Sequence, residues 1–156
     1  MTSDSIHSVQ DSWGKIAPFA GAVAALFFDR IVEQDEIFRR IFTEDRRSAD
    51  IADFNRGMAV AVRSLGRLEN VVPAAADMGR RAARYGLGDA QYRSVAEALI
   101  WSLERVMGSE LAPAVRRAWG EAFLTLAAAA RRAGAAARAT ALVAAPAGPP
   151  PAVAIA

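Results

Sequence analysis

Met78-Gly79-Arg80-Arg81-Ala82-Ala83-Arg84-Tyr85-Gly86 closes a helical segment that starts near Val71. Met78 and Ala82 are four residues apart and share one helix face, and so do Arg80 and Arg84. Gly86 and Gly88 suit the left-handed backbone on which helices end. Working outward, the same spacing of apolar residues by three and four recurs on both sides. Upstream, Ser48 is expected to cap a helix to about Leu65, with Ile51, Phe54, Met58, Val62 and Leu65 on its inner face. Before it come short helical stretches over 36–42 and 20–32. A first helix, capped by Ser3 or Asp4, has Val9, Ile16 and Phe19 along its buried side. Downstream, Asp89 caps a helix over 90–107, Gly108 ends it, and Pro113 opens a last helix to about Arg132. Nothing alternates with the two-residue period of a strand. The chain reads as all-α.

With 156 residues, 53% of them hydrophobic, the chain can bury one sizeable core, and two domains would be cramped. No run approaches the roughly 18 apolar residues of a membrane span. The apolar run 17–28 is too short and lacks the preceding basic segment of a signal peptide. A soluble, cytoplasmic protein with no membrane span is the expectation. The absence of cysteine removes disulfides, thiolate ligands and thiol redox chemistry together. Every basic residue except Lys15 is arginine, and the net charge is only +2. Arginines alternate with acids, which describes solvated helix faces; no nucleic-acid partner is expected. After Gly134 the composition turns to alanine and then to Pro146-Ala147-Gly148-Pro149-Pro150-Pro151. Residues 135–156 therefore read as a flexible tail with polyproline character, leaving 1–134 as the domain.

Catalytic chemistry is thin. His7 is the only histidine, near the N-terminus, so no nucleophile–base pair can be built on a core imidazole. There is no glycine-rich phosphate loop and no cluster with metal-ligand spacing. Glu33, Asp35 and Glu36 read as one solvated acidic turn, and Glu44 with Asp45 as another. The ridge of Arg80, Arg81 and Arg84 reads as a solvated face that an anionic partner could meet. A non-enzymatic role is the expectation.

The order of helices and the residues on them resemble the globin family, especially its single-domain bacterial and neuroglobin-like branch, over roughly 9–132. Val9-Gln10-Asp11-Ser12-Trp13 resembles the opening helix, and Phe28 and Phe42 fall where similar globins place a distal phenylalanine and the one lying flat on the haem. Tyr85-Gly86-Leu87 with Gln91-Tyr92 matches the corner after the proximal helix, and Ala98–Glu104 with Ala118-Trp119 matches the last two helices. The resemblance implies a globin fold, about seven helices packed around a haem-pocket-like core. It also implies a proximal side formed by Met78, Ala82, Tyr85, Tyr92 and Leu99, and a distal side formed by Phe28, Phe42, Asp50, Asp53 and Phe54.

The departures from that family gather at the ligand site. Globin iron takes an imidazole nitrogen from the proximal helix, and here that position is Ala82. Asp50 stands where the family often has histidine or glutamine, Asp53 where it often has lysine or arginine, and Phe54 where a smaller aliphatic residue is usual. The expectation is a binding or sensory module with no haem cofactor, open to a small apolar ligand or a protein partner. The alternative is a haem protein that binds oxygen or another diatomic gas through unusual ligation, with Met78 the candidate metal ligand and a tyrosine second. Met78 also has a plain packing reading, and a relic that partners another globin is a third possibility.

Overall fold

The computed structural model describes residues 1–144. Among them there is no strand: six helices of fourteen residues or more and one of six account for the architecture. They are α1 (Ser3–Ile16), α2 (Ala20–Gln34), the short α3 (Glu36–Ile41), α4 (Arg47–Ser64), α5 (Leu68–Arg84), α6 (Asp89–Met107) and α7 (Pro113–Ala144). Single 3₁₀ turns lead into α2, α4 and α7. No helix of the described residues is long and apolar enough to cross a membrane.

Local chemistry sets the element ends. Thr2, rather than Ser3 or Asp4, caps α1 by accepting from the Ser5 amide at 3.1 Å. Pro18 breaks the α-helix at Ala17, and the 3₁₀ turn that follows swings Phe19 out of phase. Phe19 is consequently 59% exposed rather than part of the buried side of α1. Asp35 caps α3 through the Ile37 amide. Ser48 does not cap α4, because the 3₁₀ turn Glu44–Arg46 runs straight into the helix one residue earlier. Gly86 (φ 77°) and Gly108 (φ 54°) carry the left-handed backbone that ends α5 and α6. Gly88, expected to do the same, is extended; its amide donates to Gln91 Oε1 and so starts α6.

The core is built from α1, α2, α4, α6 and α7 around Val9, Phe27, Phe28, Leu65, Leu103 and Trp119. Helix α2 lies across α6 and α4, and α1 lies on α7. One buried polar chain crosses this core: Trp119 Nε1 donates to Ser12 Oγ at 2.9 Å, and that hydroxyl donates to the Val9 carbonyl. The indole N–H is thereby satisfied where water does not reach.

The most extensive helix pairing joins α5 to α7. Its buried α5 face is Val71, Ala75 and Gly79, a four-residue repeat of small side chains. A β-carbon on Gly79 would collide with the backbone of Ala130, and one on Gly134 would come within 2.8 Å of the Gly79 carbonyl oxygen. Arg131 pairs with Asp89 at 2.7 Å, and Arg138 donates to the Leu87 carbonyl. From Gly79 against Ala130 to Ala83 against Gly134 the residue numbers of the two helices rise together, so α5 and α7 run in the same direction.

This seam overturns the expected boundary after Gly134. That glycine is a close-packing position inside α7 and does not stop the helix, which continues through 135–144 along the corner after α5. The proline-rich remainder of the expected tail, 145–156, lies outside the described residues.

Two glycine-to-alanine changes have opposite expected effects. In Gly79→Ala the added methyl meets the α7 backbone, and overpacking of this kind costs about 1–3 kcal/mol. Gly57 lies within α4 with open space around its α-carbon, so Gly57→Ala gains about 0.5–1 kcal/mol from helix propensity. Urea denaturation followed by circular dichroism measures both. Equal midpoints for the two variants would show that the seam is not tight.

Candidate functional site

An open cleft of about 370 Å³ lies between α2, α3 and the start of α4. Its apolar lining is Phe28, Val32 and Phe42; its polar lining is Arg39, Thr43, Glu44, Arg47 and Asp50. The volume falls in the lower part of the range usual for small-molecule sites, roughly 300–1,000 Å³.

Each element delivers its share for a local reason. Helix α2 is apolar on most sides and presents Phe28 to the cleft while Phe27 and Ile31 go to the core. Asp35 fixes the entry to α3: its carboxylate accepts from the Ile37 amide at 2.9 Å and from Gln91 Nε2 at 2.7 Å, which ties α3 to the start of α6. The Gln91 hydrogen bond first, then the Ile37 amide, holds the Asp35 carboxyl below its ordinary value. Asp35 is thus a structural cap and not the solvated turn charge expected from sequence. Past Ile41 the chain turns extended at Phe42, whose ring meets Phe28 edge-on with centroids 4.9 Å apart.

The wall behind the cleft is aromatic. Phe54 stacks on Phe27 at 4.8 Å between centroids and meets Phe28 at 5.9 Å, edge to face. It fills the space behind Phe28 and does not line the cleft itself.

Asp50 stands on the first turn of α4 and lines the cleft. Its side chain is 14% exposed, and its carboxylate accepts no hydrogen bond from any described residue. One oxygen is 3.9 Å from Arg46, and the other is buried with no partner in the protein. Arg47 is spoken for: it pairs with Asp29 at 2.7 Å and donates to the Ala25 carbonyl at 3.4 Å. Arg39 donates to the Val32 carbonyl at 3.4 Å and pairs with no carboxylate among the described residues.

The ten residues expected at the site do not converge. Phe28, Phe42 and Asp50 share the cleft, and Phe54 backs it. Asp53 points to solvent and pairs with Arg56. Leu99 lines a separate apolar cavity of about 60 Å³ with Met58, Leu65 and Trp119. Met78 and Tyr85 are 59% and 62% exposed, and Ala82 is half-buried on α5. Val32, Arg39, Thr43 and Arg47 belong to the cleft and were not anticipated. Their arginines look like ordinary helix-face charge, and the partners that hold Arg47, Asp29 and Ala25, lie on another helix.

A haem iron held by the chain would need an imidazole, thioether or phenolate donor beside this cleft. Among the described residues none lines it. His7 is exposed, with Nδ1 2.9 Å from the Ser3 carbonyl in the first turn of α1. Met78 and Tyr85 sit on the open side of α5. Burial pushes the Tyr92 phenol up from its ordinary value, against the opposing pull of Arg138 and Arg131, which disfavours a phenolate there. The donor set does not fit a ligated haem.

No protein-family model matches this chain, and no curated protein matches it at a significant level.

The Asp35 link carries a pH signature. Its folded-state pKa is lowered, so its contribution to stability is complete above the unfolded carboxyl value of about 4 and fades as the pH falls through the lower folded value. Wild type and Asp35→Ala should differ in urea midpoint at pH 6 and converge toward pH 2–3. A gap that stays constant across that range would mean the carboxylate does not hold α3.

Proposed function

We propose that this chain is a haem-independent binding or sensory module built on a globin-like arrangement of helices, with its ligand site in the α2–α3–α4 cleft. The order of helices supports the globin-like reading, with the first helix on the last, the second across the fourth and the sixth, and the fifth on the last. Phe28, Phe42 and Asp50 share one cleft with Phe54 behind it, as the distal side of that resemblance implies.

One observation carries the haem-independent part. The α5 position where the family holds its iron bears only the methyl of Ala82, and the alternative donors Met78 and Tyr85 face water. Opposite them, the distal space holds a phenylalanine cluster and a carboxylate. A carboxylate there would oppose both haem propionates and the head group of a fatty acid. The ligand is therefore small, and it binds on the aromatic side without metal chemistry.

Expression with haem supplied, followed by gel filtration and a visible spectrum, tests the proposal. The expected product is helical and colourless. An intense Soret band that co-elutes with the chain and weakens in Met78→Ala would overturn it. Ala82→His alone should add little haem uptake, because Phe54 occupies the distal space; Ala82→His with Phe54→Val should take up more.

A further inference from the structure

The Asp50 carboxylate is the unusual group in the cleft. It is largely withdrawn from water, yet no described residue donates a hydrogen bond to it. A carboxylate held that way gives up hydration without recovering it, which makes it a strong acceptor for any donor the cleft admits. Its terminal torsion is soft, so either oxygen can turn toward the cleft.

We propose that the cleft binds a small organic amine, its ammonium hydrogen-bonded to Asp50 and its apolar body against Phe28, Phe42 and Val32. This rests on the reading of the cleft as the ligand site and adds the ligand's chemical class. An ammonium brings three N–H donors and the charge opposite to the carboxylate, the stronger kind of hydrogen bond. The rings of Phe28 and Phe42 present π-faces and edges at the same place, and π-faces attract a cation. Of the neighbouring arginines, Arg46 approaches Asp50 only to 3.9 Å, beyond hydrogen-bond distance, and extends largely into solvent, while Arg47 pairs with Asp29. Arg39 remains a cation in the lining, and Glu44 offsets it in charge. An anionic ligand with the same body would place its charge against the Asp50 carboxylate where the ammonium would sit.

The test is a titration of the full chain, labelled with ¹³C in its phenylalanine rings, by nuclear magnetic resonance. Phe28→Leu and Phe42→Leu assign the two reporters. The probes are 2-phenylethylamine and 3-phenylpropionate, which share an aromatic body and carry opposite charges. The amine should shift the Phe28 and Phe42 resonances to saturation, with the propionate at least about tenfold weaker. Asp50→Asn should lose about tenfold in amine affinity, the loss expected on removing one charge-assisted hydrogen bond. Arg39→Gln, which removes a like charge, should leave amine binding unchanged or tighter. Should Asp50→Asn fail to fold, Arg39→Gln decides alone.

Equal or tighter binding of the propionate, weaker amine binding in Arg39→Gln, or rings that ignore both probes would each overturn the proposal. The two readings fail separately. A coordinated-haem spectrum sinks the haem-independent module, whereas a colourless protein whose Phe28 and Phe42 ignore the amine sinks only the ligand class.

Discussion

Close contact between the backbones of α5 and α7 is the constraint on which the rest of the arrangement depends. Helices rarely approach so near, because side chains hold their axes about 8–10 Å apart. Here Gly79 gives way to the Ala130 backbone and Gly134 to Gly79. The rotation of α5 about its own axis follows from that contact. Val71, Ala75 and Gly79 are buried on α5, whereas Met78 and Tyr85 are exposed. Arg131 and Arg138 then anchor the corner after α5. The side of the molecule where an iron ligand would be sought is therefore governed by a seam of small residues, and its outward side chains answer to solvent.

The cleft is organised by other forces. Five phenylalanines, Phe27, Phe28, Phe38, Phe42 and Phe54, meet in stacked and edge-to-face pairs with centroids 4.8–6.2 Å apart. Such pairs add about 0.5–1.5 kcal/mol each beyond the area they bury. They make the wall stiff, and Asp35 holds α3 against it through two hydrogen bonds of different origin, one local and one to α6. A rigid apolar wall is what allows one carboxylate without a hydrogen bond to matter. If the wall were soft, Asp50 would relax toward water or toward Arg46, and its unmet hydrogen-bonding capacity would disappear.

Helix positions were legible in the sequence because apolar spacing, Gly86, Gly108 and Pro113 are local signals that act within one or two turns. The errors came where one residue type has two possible causes. Gly134 reads equally as a helix stop or as a close-packing position, and only the presence of Gly79 across the seam distinguishes them. Phe19 fits the apolar period of α1, but Pro18 changes the geometry before the period reaches it. Asp35 looks like loop charge until Gln91, 56 residues later, arrives beside it. Of the residues the resemblance pointed to, Phe28, Phe42 and Asp50 line the α2–α3–α4 cleft. Arg39 and Arg47 carry no such signal: Arg39 looks like helix-face charge, and Arg47 is marked only by its pairing with Asp29 on another helix.

The α5–α7 seam and the α2–α3–α4 cleft have no residue in common. That separation has a physical consequence. The side chain at position 82 takes no part in the closest contacts of the seam, which are made by Gly79, Ala83, Ala130 and Gly134. Placing a carboxylate at position 50 costs the aromatic wall little, because Asp50 stands at the cleft margin and not among the stacked rings. The charged side chains of the cleft, Arg39, Glu44 and Asp50, are thus distinct from the small residues of the seam. An architecture of this kind can change the charge of its cleft while its helix packing stays intact.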